Sequence, residues 1–167
     1  MKMTKKIVYF EGLSDESKEK AREWYKEGQE YPMLKMDIEE FIAEEILSAG
    51  YSIEKPIEVL YSLSYCQGDG VSFETTLEKN GGRYFVTQKG NYVHEMTMSM
   101  ECESLEDFSS VDCVEELEEM REIARKAEKM GYKEIEYQDS AEQVDESIIT
   151  NEYTFTLEGE RMNPDTK

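Results

Sequence analysis

Four stretches of alternating apolar and polar residues lie back to back between Ile57 and Cys102, separated by short turn signals. Successive side chains of a β-strand point to opposite faces, so a period of two marks a strand with one buried face. In Ile57–Cys66 that face carries Val59, Tyr61, Leu63 and Tyr65. Gln67-Gly68-Asp69-Gly70 is a turn by composition, and Val71, Phe73, Thr75 and Leu77 alternate on the way back. Asn80-Gly81 is a strong hairpin signal, because both central positions of a tight turn need positive φ. Tyr84–Gln88 supplies the next strand, and Lys89-Gly90-Asn91 turns again. Tyr92–Cys102 then sets His94, Met96, Met98, Met100 and Cys102 on one face. Connections this short join antiparallel neighbours, so the pattern predicts a four-stranded antiparallel meander.

About four helices should flank it. Ser14 caps a helix that runs to about Glu27 and stops at Gly28, with a thin apolar face of Ala21, Trp24 and Tyr25. Ile38, Phe41, Ile42 and Ile46 mark a second helix over about Met33–Ala49. Asp112 with Glu115 opens a third, which buries Val114, Leu117, Met120, Ala124 and Ala127 and stops at Gly131. Ser140 with Gln143 starts a fourth, carrying Val144, Ile148 and Ile149. Short strands complete the pattern at Ile7–Phe10, Tyr132–Tyr137 and Tyr153–Leu157. The fold class is α+β. No linker interrupts the chain, which predicts one compact domain over residues 1–167 with a tail that frays from about Glu160.

Composition matters here because it raises disorder as an alternative. Hydrophobic residues are 38% and charged residues 35%, with a net charge of −20. Eleven Tyr, six Phe, one Trp and ten Met can nonetheless anchor a core beneath an acidic skin. The charge is uneven: residues 1–35 carry a net +1, residues 36–167 a net −21. Such a surface repels nucleic acid and anionic lipid and attracts basic proteins. The basic residues of the first helix, Lys18, Lys20, Arg22 and Lys26, interleave with Glu16, Glu19, Glu23 and Glu27 and largely cancel. The residues therefore argue against direct nucleic-acid binding. No apolar run approaches a membrane span, and no signal peptide is recognisable. Cys66, Cys102 and Cys113 form no CxxC pair; their odd number suits a reducing cytosol, with the thiols acting as small buried hydrophobes.

No catalytic motif stands out. His94 is the only histidine, and its place in an alternating run predicts a structural sheet histidine. One His and three scattered Cys cannot assemble a zinc site, and neither EF-hand nor nucleotide-binding spacing occurs. No metal and no cofactor is expected. Gln67 and Asp69 mark a possible turn site, read first as a simple turn.

Three segments carry a resemblance: Phe10-Glu11-Gly12-Leu13-Ser14-Asp15-Glu16-Ser17-Lys18-Glu19-Lys20-Ala21-Arg22-Glu23-Trp24-Tyr25; Leu63-Ser64-Tyr65-Cys66-Gln67-Gly68-Asp69-Gly70-Val71-Ser72-Phe73; and Asn151-Glu152-Tyr153-Thr154-Phe155-Thr156. They resemble a family of small phage and mobile-element proteins of Firmicutes and other bacteria. The resemblance implies a phage accessory protein in the cytoplasm of an infected or lysogenic host, and it transfers no catalytic residue. Joined to the charge, it leads to the expectation of a non-enzymatic counter-defence protein: an anti-CRISPR inhibitor of a Cas9-type effector, or of another host defence nuclease. Its acids would mimic DNA on the basic surface of that nuclease. The candidate acids are Glu39, Glu40, Glu44 and Glu45; Glu115, Glu116, Glu118, Glu119 and Glu122; and Asp139, Glu142, Asp145 and Glu146. Two other readings stay open: a small hydrolytic or ligand-binding protein using Asp69 and His94, and an acidic interaction module of phage replication.

Overall fold

The computed structural model describes residues 6–162. In chain order it contains β1 (Val8–Tyr9), α1 (Asp15–Glu27), α2 (Leu34–Ser48), β2 (Ser52–Ser62), β3 (Gly70–Lys79), β4 (Gly82–Gln88), β5 (Met98–Ser104), β6 (Ser110–Val111), α3 (Val114–Gln138), α4 (Ala141–Thr150), β7 (Thr154–Phe155) and β8 (Arg161–Met162). The class is α+β, with four helices and two antiparallel sheets among the described residues. The described residues form two compact units, one from Pro32 to Glu134, the other from those up to Tyr31 together with those from Ile135 onward.

The larger unit is built on a five-stranded meander, β2-β3-β4-β5-β6, rather than the four strands expected. The added strand, β6, pairs Cys102 with Val111 and Glu103 with Ser110. Two residues are too short to leave a periodic signal. Asn80 and Gly81 form the predicted hairpin, with φ of 50° and 81° and Lys79 opposite Gly82. Strand β2 starts earlier than its alternation indicates and contains Pro56, which donates no ladder hydrogen bond. Register shifts around Lys55 and a position at the sheet edge accommodate it.

Val59, Val71, Phe73, Leu77, Tyr84, Val86, Met98, Met100 and Cys102 are buried, as are Leu34, Ile38, Ile42 and Ile46 of α2. Helix α2 ends in a Schellman motif: Tyr51 N–H donates to Ile46 O, Gly50 N–H donates to Leu47 O, and Gly50 sits at φ 93°.

Several expectations fail in this unit: Val114, at the very start of α3, is exposed rather than buried, and so is Tyr65, because its strand ends at Ser62. Helix α3 does not stop at Gly131 but continues to Gln138, through the stretch read as a Tyr132–Tyr137 strand. Its buried stripe Met120, Ile123, Ala124, Ala127 runs on through Gly131 to Ile135 at helical spacing. Gly131 is there for close approach: a Cβ would lie 2.5 Å from Leu63 Cδ1 and 3.6 Å from Ile38 Cδ1. The run Tyr92–Cys102 is strand only from Met98; Glu95–Thr97 is a 3-10 turn capped by His94, which is therefore not a sheet histidine. Local bonds win there over the ladder: His94 Nδ1 accepts from Met96 N–H at 3.1 Å, and Thr97 Oγ1 accepts from His94 N–H at 3.1 Å. Finally, Cys66 is exposed, whereas Cys102 and Cys113 are buried as expected.

The smaller unit packs α1 and α4 with the three-stranded sheet β1-β7-β8 around Phe10, Leu13, Ala21, Val144, Ile148 and Phe155. Trp24 meets Tyr153 and Phe155 edge to face at 5.2 and 5.8 Å. The expected caps are present, with Ser14 accepting from Ser17 N–H and Ser140 from Gln143 N–H. Arg22 forks onto Asp145, Nε to Oδ1 at 2.6 Å and Nη2 to Oδ2 at 2.9 Å. The tail does not fray from Glu160: Arg161 and Met162 pair with Phe155 and Thr154. The rest of that expectation, residues 163–167, lies outside the described residues.

Candidate partner-binding surface

The thirteen acids singled out in the sequence divide into two groups. Seven are engaged within the protein. Glu118 pairs with Arg121 at 2.9 Å and Arg125 at 3.8 Å, and Glu122 also pairs with Arg125. Glu45 faces Lys126 at 3.8 Å, Glu119 hydrogen-bonds Tyr51, and Glu39 accepts from Val59 N–H at 3.5 Å. Asp145 holds Arg22, and Asp139 accepts from the Tyr31 hydroxyl at 2.8 Å. The other six, Glu40, Glu44, Glu115, Glu116, Glu142 and Glu146, meet no ion-pair or hydrogen-bond partner among the described residues. Glu40 and Glu44, and likewise Glu142 and Glu146, stand one helical turn apart on exposed faces.

The residues of the alternative site are brought to one end of the larger unit and consumed there. Asp69 accepts at Oδ2 from Ser64 N–H (2.9 Å), Cys66 N–H (3.1 Å) and the Tyr132 hydroxyl. Its Oδ1 accepts from the Ser62 and Ser64 hydroxyls and the Cys66 thiol at 3.1 to 3.2 Å. Burial pushes its carboxyl up, but these bonds outweigh burial and hold it well below the usual range. His94 approaches the same turn: a Cβ on Gly70 would lie 2.8 Å from His94 Cα. Its Nδ1 accepts from Met96 N–H, and its Nε2 lies 3.1 Å from Glu95 Oε2. Glu95 is buried and also meets Arg125 Nε at 3.5 Å. Helix α3 thus presents Arg121, Arg125 and Tyr132 as a polar stripe that fastens the strand and loops beside it. Arg121 reaches Met98 O at 3.1 Å, and Tyr132 reaches Asp69. Gln67 is exposed in the turn. Both carboxylate oxygens of Asp69 accept internal hydrogen bonds and His94 Nδ1 accepts from Met96 N–H, while Glu95 Oε2, 3.1 Å from His94 Nε2, is buried with no hydrogen-bond partner among the described residues. Among the described residues, no group of His, Cys, Asp and Glu is arranged to hold a metal ion, and no helix is long and apolar enough to cross a membrane.

The feature that the periodicity does not reveal is a cleft at the β5–β6 edge and the start of α3. It encloses about 530 Å³ and is lined by Phe85, Met100, Cys102, Phe108, Val111, Cys113, Val114 and Leu117, with Glu101, Glu103 and Asp112. Phe108 is 68% exposed, Val114 66% and Val111 45%. From Glu101 to Glu122 the chain carries ten acids and one base, Arg121. Burial pushes both cleft thiols up, and Glu116 adds to the effect, so Cys102 and Cys113 remain protonated and poor nucleophiles. The available sequence signal was Phe108, a lone aromatic in the run Glu106-Asp107-Phe108-Ser109-Ser110. No family model, no curated protein and no solved structure matches this chain.

Proposed function

We propose that this protein works by binding rather than by catalysis, placing carboxylates on the basic surface of a protein that handles nucleic acid. The specific form of the proposal is stoichiometric inhibition of a bacterial defence nuclease, a type II CRISPR effector first. One observation carries it: Glu101–Glu122 holds ten acids and a single base, three of those acids (Glu101, Glu103 and Asp112) line an open cleft, and Glu115 and Glu116 have no partner among the described residues. Glu115, Glu116, Glu118, Glu119 and Glu122 span roughly 10 Å of helix axis. Duplex DNA places roughly six phosphates over that length. The pairing of Glu118 and Glu122 with arginines narrows the competent set to the carboxylates at the helix start.

The test is a cleavage assay with purified protein, added before or after the nuclease is loaded with guide RNA and target DNA. Inhibition that depends on order of addition, weakens with salt and falls in the Glu115→Lys/Glu116→Lys variant is the expected result. Cleavage unaffected at stoichiometric excess, whatever the order, overturns the nuclease reading.

A further inference from the structure

We propose that the cleft between β5, β6 and the start of α3 is the anchoring contact, and that its occupant is a partner segment bearing one bulky apolar side chain flanked by Lys or Arg. This rests on the reading that the protein binds a basic partner, and it adds what that partner must present.

A pure phosphate mimic needs only charge. Here the acids rim an apolar floor instead. Single exposed hydrophobes need no explanation, but Phe108, Val111 and Val114 line one cleft. Phe108 is also held in an unfavourable backbone conformation, at φ 59°. Two backbone bonds impose it: Ser104 N–H donates to Ser109 O at 2.9 Å, and Phe108 N–H donates to Ser104 O at 2.8 Å. Strain that leaves an aromatic ring in solvent is characteristic of a recognition position. The rim selects the sign of the partner: Glu101, Glu103 and Asp112 line the cleft, and among the described residues only Glu103 has a cationic neighbour, Arg83 at 4.0 Å. A second copy of this chain fits poorly. An isologous contact would set the same acids against themselves on molecules of net charge −20. An apolar anchor with flanking cations satisfies floor and rim together, as buried anchors with a charged rim do in protein interfaces.

Three dye-labelled synthetic peptides test this by fluorescence anisotropy: one with a central Trp flanked by Lys and Arg, one with Ser replacing Trp, and one with Gln replacing every Lys and Arg. The first should bind at least about tenfold more tightly than either control. The Phe108→Ser/Val114→Ser variant, altered only at exposed positions, should lose that advantage while keeping its circular dichroism and melting temperature. Equal affinity of the Trp and Ser peptides, or unchanged binding by the variant, overturns the cleft proposal. So does a dimer in sedimentation that disappears in the variant. Nuclease inhibition retained by the same variant would leave the parent reading standing while the anchor falls. Inhibition absent from the unaltered protein would remove the parent reading on its own.

Discussion

The Tyr132 hydroxyl donates to Asp69 Oδ2, fastening α3 to a turn 63 positions earlier in the chain. Because the Asp69 carboxyl is held below its ordinary 3.8, the folded state binds fewer protons there than the unfolded chain. This contribution is present above pH 3.8 and disappears as the pH falls through the lower folded value. Asp69→Asn should cost about 1–3 kcal/mol near neutral pH, and Tyr132→Phe less. Urea unfolding from pH 7 downward checks both. If the Asn variant loses stability on acidification as steeply as the parent, Asp69 is not the group responsible.

Glu128 has the opposite sign. Burial first, then the charge of Glu95, raises its carboxyl above the ordinary 4.5. A raised acid makes the folded state hold its proton longer, so stability falls as the pH rises from 4.5 through the folded value. Glu128→Gln should therefore raise the melting temperature at pH 7 and leave it unchanged at acidic pH. A lower melting temperature at pH 7 would mean that Glu128 makes favourable contacts that outweigh its desolvation.

These two carboxylates also show what the sequence could and could not reveal. The strand periods, the Asn80-Gly81 turn and the caps at Ser14 and Ser140 are local signals, and they hold because nearest-neighbour geometry decides them. Gly131 reads as a stop on local grounds, yet its surroundings are Leu63 and Ile38, which no window around position 131 contains. His94 reads as strand because alternation is blind to a side chain that caps its own turn. The acids were legible as composition. Which of them spend their charge internally depends on Arg121, Arg125 and Lys126 lying one or two turns away or across a helix pair. The cleft was the least legible feature, since Phe85, Phe108 and Val114 converge only after the sheet closes.

Gly131 makes a coupled prediction. Glycine inside a helix costs about 1 kcal/mol relative to alanine. In the parent, Gly131→Ala should gain nothing, because the added methyl presses on the end of the Leu63 side chain. In a Leu63→Ala background the same substitution should stabilise by about 1 kcal/mol. A double-mutant cycle by chemical denaturation measures the difference. Additive effects would show that Leu63 is not what requires the glycine.

The net charge of −20 sets the remaining expectation. Self-repulsion is screened over about 10 Å at moderate salt, so the melting temperature should rise with ionic strength. Part of that repulsion is localised. Glu40 with Glu44 and Glu142 with Glu146 are like charges one turn apart with no cation between them. Each such pair costs a few tenths of a kcal/mol, about as much as an opposite pair contributes. Glu44→Lys and Glu146→Lys each place a cation four residues after a glutamate, the favoured order. Each should raise the melting temperature by about 1–2 °C at low salt, and together they should flatten its salt dependence. A parent melting temperature that does not move across the salt series would show that the surface charge is dispersed too widely to strain the fold.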